Sequence, residues 1–314
     1  MRVFRLTLVA TIFVMVSSFS SETIKDKKQN LVHDGRVRTF FVHLPKNYTP
    51  QTKYPLVIAL HGGGGTAKAF NRGTRGRFNE LADKEDFILV YPQGVKKSWN
   101  DNNKRDTLGK ARKLNIDDVG FLRKMIQKLE NDYSVDSNNI FACGISNGGL
   151  MSQTLAAELP EKIKAIGMVA SNFSKAQTDE MQSATPFSMI VIHGTEDPLF
   201  PYEEGVIQVF KKSRGRVLGV KKSIFFLAAI NGNDTIGIVR SLPNPVLMDG
   251  CTTEQIVYPN PKNPNYKIEL IKVIGGGHTW PGGTQYLPKK LVGRASKDFN
   301  ACDALWEFFE STIQ

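Results

Sequence analysis

The chain is poor in the residues that metal sites and disulfide scaffolds need. It has three cysteines in 314 residues, and no two are spaced C-x-x-C. Its five histidines fit neither H-x-x-x-H nor H-E-x-x-H, so no zinc-site pattern is present. The glycines at 62–65 are not followed by Lys-Ser/Thr and do not keep the G-x-G-x-x-G frame, which argues against a phosphate-cradling loop. There is no internal repeat, no low-complexity tract and no interleaving of basic with aromatic residues, so nucleic acid is not an expected partner. Beyond residue 20, no apolar run is long enough to cross a membrane.

What remains is globular. Hydrophobic residues make up 41% of the chain and aromatics 10%, at a length that suits one α/β domain. The first 20 residues stand apart. Arg2 and Arg5 precede an apolar run from Leu6 to Val16, and Ser18 and Ser20 supply small residues for a cleavage site. This is the pattern of a secretory signal peptide. The expected mature chain is therefore one catalytic domain over 21–314, extracellular or periplasmic and without stable membrane insertion. An oxidising compartment could join Cys251 to Cys302, whereas Cys143 in IFACG reads as a small buried hydrophobe. The formal net charge of +11 could favour anionic polymers, with plain solubility as the alternative.

Short apolar runs alternate with helical patterns. The runs are PLVIAL (55–60), FILVY (87–91), NIFAC (139–143), AIGMVA (165–170), SMIVI (188–192) and IELIKV (268–273). Residues 117–133 place Val119, Leu122, Ile126 and Leu129 on one face, and 147–159 and 298–312 are also helix-like. This alternation predicts a mostly parallel sheet flanked by helices. Two strand-like runs around Asp34-Gly35 predict an antiparallel N-terminal hairpin. Residues 212–265 break the alternation with an extra apolar run, SIFFLAAI, and predict a small cap-like insertion.

The chemistry concentrates at three points. Residues 144–148 read GISNG, a G-x-S-x-G elbow between a strand and a helix, which makes Ser146 the candidate nucleophile. A serine needs a base and a group to hold that base. His278, in GGGHTWPGG after the last predicted strand, is the candidate base, with His193 as runner-up. The acid should follow a strand between the two. HGTEDP supplies Asp197, with Glu196 as the alternative, in the chain order Ser…Asp…His. Backbone N–H groups for an oxyanion are expected from Asn147, next to the nucleophile, and from HGGGG, at Gly63. The loop at 96–114 carries Lys96, Lys97, Lys104, Arg105, Lys110, Arg112 and Lys113 against Asp101 and Asp106. Following a strand, it should lie at the sheet end that holds the site. An attractor for acidic polymer and a solvated loop both fit it.

Taken together, ALHGGGG (59–65), VYPQG (90–94), Trp99-Asn100, IDDVGFL (116–122), GISNGG (144–149), HGTEDPLFPY (193–202), GGGHTWPGG (275–283) and ALWEFF (304–309) resemble the secreted poly(3-hydroxybutyrate) depolymerase and feruloyl esterase group of α/β-hydrolases. The resemblance implies the α/β-hydrolase fold and a carboxylic-ester hydrolase without cofactor, acting on acyl or feruloyl esters of polysaccharides or on hydroxyalkanoate oligomers. It implies Ser146, Asp197 and His278 as triad, with Gly63 and Asn147 at the oxyanion hole. It also places Trp99 and Trp280 near the site, where they could stack on an aromatic acid or sugar, with plain core packing as the alternative, and gives Asp118 either the elbow to orient or its own helix to cap. Asn233 stands where many members carry a cysteine, and 102–114 is more basic than the group leads one to expect. A non-catalytic carbohydrate-binding relative and a serine peptidase are the competing classes.

Overall fold

A computed structural model describes residues 26–101, 109–174, 178, 181, 185–209 and 212–313. The expected signal peptide lies outside them. Among the described residues twelve strands are formed: β1 (Lys27–His33), β2 (Arg36–His43), β3 (Tyr54–Leu60), β4 (Ile88–Pro92), β5 (Val135–Ile145), β6 (Ala165–Val169), β7 (Ser188–Gly194), β8 (Gly205–Val209), β9 (Lys212–Val217), β10 (Ile238–Ser241), β11 (Thr252–Tyr258) and β12 (Ile268–Ile274). Ten of them build one sheet in the order β1-β2-β4-β3-β5-β6-β7-β12-β11-β10. From β4 to β12 every neighbouring pair is parallel, while β1, β2, β11 and β10 are antiparallel edges. The first hairpin turns where the sequence placed it. Asp34 and Gly35 have φ of 49° and 64°, as a type I′ turn demands.

The helices are α1 (Ala67–Gly73), α2 (Arg77–Glu85), α3 (Lys110–Lys113), α4 (Asp118–Asp132), α5 (Asn147–Glu158), α6 (Val220–Asn231), α7 (Lys289–Val292) and α8 (Ala301–Glu310). They cover both sheet faces, and strand alternation decides which. Leu56, Ile58 and Leu60 of β3 pack with Leu122, Met125, Met151, Leu155 and Ile224, from α4, α5 and α6. Val57 and Ala59 face the other way, toward Phe70, Phe78, Leu305 and Phe309, from α1, α2 and α8. Buried on both faces, β3, β4, β6 and β7 are nearly pure apolar runs. Phe141 stacks on Phe309 with ring centroids 4.8 Å apart, and each such fully buried side chain contributes about 1.5–3 kcal/mol.

The 212–265 stretch, expected as a cap-like insertion, is divided. Its apolar run forms α6, whose Val220, Ile224 and Leu227 are in the core, and β10 and β11 extend the main sheet. Only β9, paired with β8, forms a separate two-stranded sheet. The proposed Cys251–Cys302 bridge is not formed, and all three cysteines are free and buried. No helix among the described residues is long and apolar enough to cross a membrane.

Candidate active site

Ser146 occupies the single residue between β5 and α5, at φ 57° and ψ −119°. A non-glycine residue there is strained by about 1–3 kcal/mol, and the surrounding contacts must hold it. Its N–H donates to the Val169 carbonyl at 2.9 Å, and its own carbonyl accepts from Leu150 at 3.0 Å, the first bond of α5. The flanking glycines make this approach possible. A Cβ on Gly144 would lie 2.6 Å from the Leu60 oxygen, and one on Gly148 would lie 2.2 Å from the same atom. The sharp elbow therefore requires glycine on both sides of the serine.

Asp197 follows β7 and His278 follows β12, neighbours in the sheet. Asp197 Oδ2 lies 2.8 Å from His278 Nδ1, and both side chains are buried. Asp197 Oδ1 accepts from the Leu199 and Phe200 N–H groups, each at 2.8 Å. Burial by itself would raise the carboxyl pKa. The charge of His278 and hydrogen bonds from His193 and His278 outweigh it and hold the group well below the ordinary carboxylate value. The carboxylate fixes Nδ1 of His278 as the donor and leaves Nε2 free to accept a proton. Phe200 stacks over the imidazole at 6.2 Å between centroids.

The two alternatives separate cleanly. Glu196 is exposed and pairs with Arg294 at 3.0 Å. His193 is buried behind the acid, with Nε2 2.9 Å from the Phe200 carbonyl and 3.5 Å from Asp197 Oδ2.

Ser146 and His278 line one cavity of about 330 Å³, together with Gly62, Gly63 and the aromatic side chains of Phe70, Trp280 and Tyr286. Trp280 thus lies at the site, with its ring edge-on to Phe70 at 5.0 Å. Trp99 does not. Only 1% of it is exposed, its Nε1 donates to the His61 carbonyl at 2.8 Å, and its ring lies 4.9 Å from the His61 imidazole. The expectation that Trp99 stacks on substrate is corrected. Its flat surface is used up inside the protein, beneath the glycine loop.

That loop rests on residues the sequence reasoning passed over. His61 Nε2 accepts from Gly94 N–H at 3.0 Å and lies 3.2 Å from Gln93 Nε2, while Nδ1 lies 2.9 Å from the Gly62 carbonyl. Burial lowers its pKa to about 4, so it stays neutral and can accept. Gly64 donates to the Lys97 carbonyl at 2.7 Å and Gly65 to the Gly62 carbonyl at 3.0 Å. The Gly63 N–H has no such partner among the described residues. Gly63 and Asn147 are neighbours, since a Cβ on Gly63 would lie 3.8 Å from that of Asn147. The Asn147 side chain accepts from the Trp99 N–H at 2.8 Å and donates to Asp101 at 3.1 Å. Asp118 takes the Asn100 N–H at 2.7 Å and Arg38 at 2.5 Å. Asp117, not Asp118, caps α4 through Gly120. Asp118 thus acts on the 99–101 strap that grips Asn147. The sequence signals for this support were VYPQG, to which no chemical role was attached, and Trp99-Asn100, whose tryptophan was expected at the substrate. Phe70 and Tyr286 belong to none of the motifs quoted from the sequence.

No three His, Cys, Asp or Glu side chains among the described residues converge as metal ligands would. The family model described as "Putative esterase" matches residues 33–199, more than half of the chain. The chain belongs to the esterase family. This esterase is 27% identical to "Putative esterase NocK" of Nocardia uniformis subsp. tsuyamanensis over 89% of the chain and 81% of that protein. It is 34% identical to feruloyl esterase B of Neurospora crassa over 44% of the chain, and the match spans 45% of that relative's length. Its backbone superposes on the acetyl xylan esterase of Aspergillus awamori with a TM-score of 0.58 at 16% identity, covering 90% of this chain and 99% of the other. That likeness is one of fold, and the fold is that of the α/β-hydrolases. The feruloyl-esterase resemblance read from the motifs agrees with the relatives found.

Proposed function

We propose that this esterase is a serine carboxylic-ester hydrolase that removes feruloyl or acetyl groups from polysaccharide through an acyl-enzyme. The observation that carries the reading is the Asp197–His278 contact at 2.8 Å, with His278 and the strained Ser146 on one cavity wall. In the reading, His278 Nε2 takes the Ser146 proton as Oγ bonds to the ester carbonyl carbon. The carbonyl π pair moves onto oxygen, where the Gly63 and Asn147 N–H groups stabilise it, one such donor being worth about 3 kcal/mol. The intermediate collapses, the C–O bond to the alcohol breaks, and His278 returns the proton to the leaving oxygen. Water repeats the sequence on the acyl-enzyme and frees the acid and Ser146. The apolar wall of Phe70, Trp280 and Tyr286 suits a planar aromatic acyl group, and the name of feruloyl esterase B, a relative, supports that class.

The test compares wild type with Ser146→Ala on methyl ferulate, p-nitrophenyl acetate and a hydroxybutyrate oligomer. Wild type should cleave methyl ferulate and show a burst of p-nitrophenol, and the variant should do neither. Two folded but idle proteins would refute the reading and favour a binding module, and an active alanine variant would refute Ser146 as the nucleophile. The pattern at residues 1–20 supports action outside the cytoplasm. The exported protein should then begin at about residue 21 by N-terminal sequencing, and an unprocessed cytosolic chain would contradict that.

A further inference from the structure

Helix α1 is a wall between two cavities. Its Ala69, Phe70 and Gly73, with the capping residues Thr66 and Thr74, line the cavity that holds Ser146 and His278. Its opposite stripe, Ala67, Lys68, Asn71 and Arg72, lines a second cavity of about 490 Å³, which Lys28 of β1 and Phe41 of β2 also border. The two stripes follow the i, i+3, i+4 geometry of a single helix. Lys68 and Arg72 are one turn apart, about 6 Å between Cβ atoms, on the same face.

The second cavity is positively charged. Lys28, Lys68 and Arg72 are exposed, and none is in an ion pair among the described residues. The one carboxylate on its wall, Asp26, is consumed internally. It lies 3.1 Å from His43 Nδ1 and accepts from Asn79 at 2.8 Å and Asn71 at 3.1 Å. Phe41 offers a flat surface with Lys68 Nζ 5.3 Å from its ring centroid. Beside the glycine loop that leads into α1, Lys96 and Lys97 are also exposed, at φ of 50° and 64°. Two successive lysines in this left-handed region are held there by the bond from Gly64 to the Lys97 carbonyl, which ties them to the cavity rim.

We propose that the Lys28–Lys68–Arg72 groove, with Lys96 and Lys97 beside the glycine loop, seats the carboxylated backbone of a uronate-bearing polysaccharide while its ester arm enters the cavity over α1. The inference rests on the esterase reading above and narrows its substrate to acidic polymers. Each carboxylate that settles between unpaired cations gains attraction without breaking an existing ion pair.

The test measures kcat/KM for O-acetylated polygalacturonate, O-acetylated xylan and p-nitrophenyl acetate with wild type and Lys68→Glu/Arg72→Glu. At about 0.02 M salt the variant should lose about tenfold on the acidic polymer, and the loss should shrink at about 0.5 M, where screening falls within a few ångströms. Activity on acetylated xylan and p-nitrophenyl acetate should stay at the wild-type level, which separates a failed groove from a failed esterase. Lys96→Asn/Lys97→Asn keeps a residue that tolerates the left-handed backbone, and should lower activity in the same acidic-polymer-specific, salt-sensitive way. Equal losses on both polymers, or no loss on either, would overturn the proposal. So would inhibition by duplex DNA as strong as that by unesterified polygalacturonate, which would mark a generic polyanion surface.

Discussion

Replacing Asp197 by Asn should cost about 10⁴-fold in kcat, and the structure says why. An asparagine must choose where its NH2 points. Placed on the Leu199 and Phe200 side, it would face two N–H donors, each now 2.8 Å from Oδ1. Two donor–donor contacts in a buried site cost about 1–3 kcal/mol each. The amide will therefore keep its oxygen on those groups and turn its NH2 toward His278, whose Nδ1 lies 2.8 Å from Oδ2. Nδ1 must then accept, so the imidazole proton moves to Nε2. A histidine protonated at Nε2 cannot take the Ser146 proton. In serine-protease triads the same exchange costs about 10⁴, or about 5.5 kcal/mol of transition-state stabilisation. The assay is steady-state hydrolysis of p-nitrophenyl acetate, with circular dichroism to show that the variant is folded. Glu196→Gln is the control and should be near wild type, because that side chain is exposed and bound to Arg294. A loss of less than tenfold for Asp197→Asn would refute the reasoning, and Glu196→Gln failing instead would move the acid by one residue.

Gly148→Ala should abolish activity and lower stability by at least about 3 kcal/mol, since the new Cβ would meet the Leu60 and His61 backbone oxygens at 2.2 Å and 2.7 Å. Thermal melting together with the p-nitrophenyl acetate assay checks it, and an active, wild-type-stable variant would show that the elbow is looser than described. His43 gives a pH-dependent term. It is buried, its Nε2 lies 3.0 Å from Asp83 and its Nδ1 lies 3.1 Å from Asp26. Burial would lower its pKa, but the two carboxylates reverse that and raise it above 6.5. A raised folded pKa stabilises below the unfolded value and loses that contribution as pH climbs through the folded one. The stability gap between wild type and His43→Gln in urea unfolding should therefore be largest near pH 6 and narrow toward alkaline pH, and a gap that widens with pH would contradict it.

The parallel strands, the hairpin turn and the elbow were legible in the sequence because they are local. A run such as PLVIAL must be buried on both faces wherever it lies, and Asp34-Gly35 can adopt two positive φ angles without help from the rest of the chain. That Ser146, Asp197 and His278 would come to one end of the sheet was equally readable, because each residue follows a strand end and strand ends converge. Tertiary structure alone decided the partners. It buried Trp99 beneath the glycine loop, made His61 an acceptor for Gly94, and set Asp118 rather than Asp117 on the strap behind the elbow. It also drew β10 and β11 out of the expected cap into the sheet edge. Each of these depends on what stands opposite a residue from far along the chain. Which cation lacks a carboxylate, or which tryptophan lines the cavity, is a property of packing that periodicity does not carry.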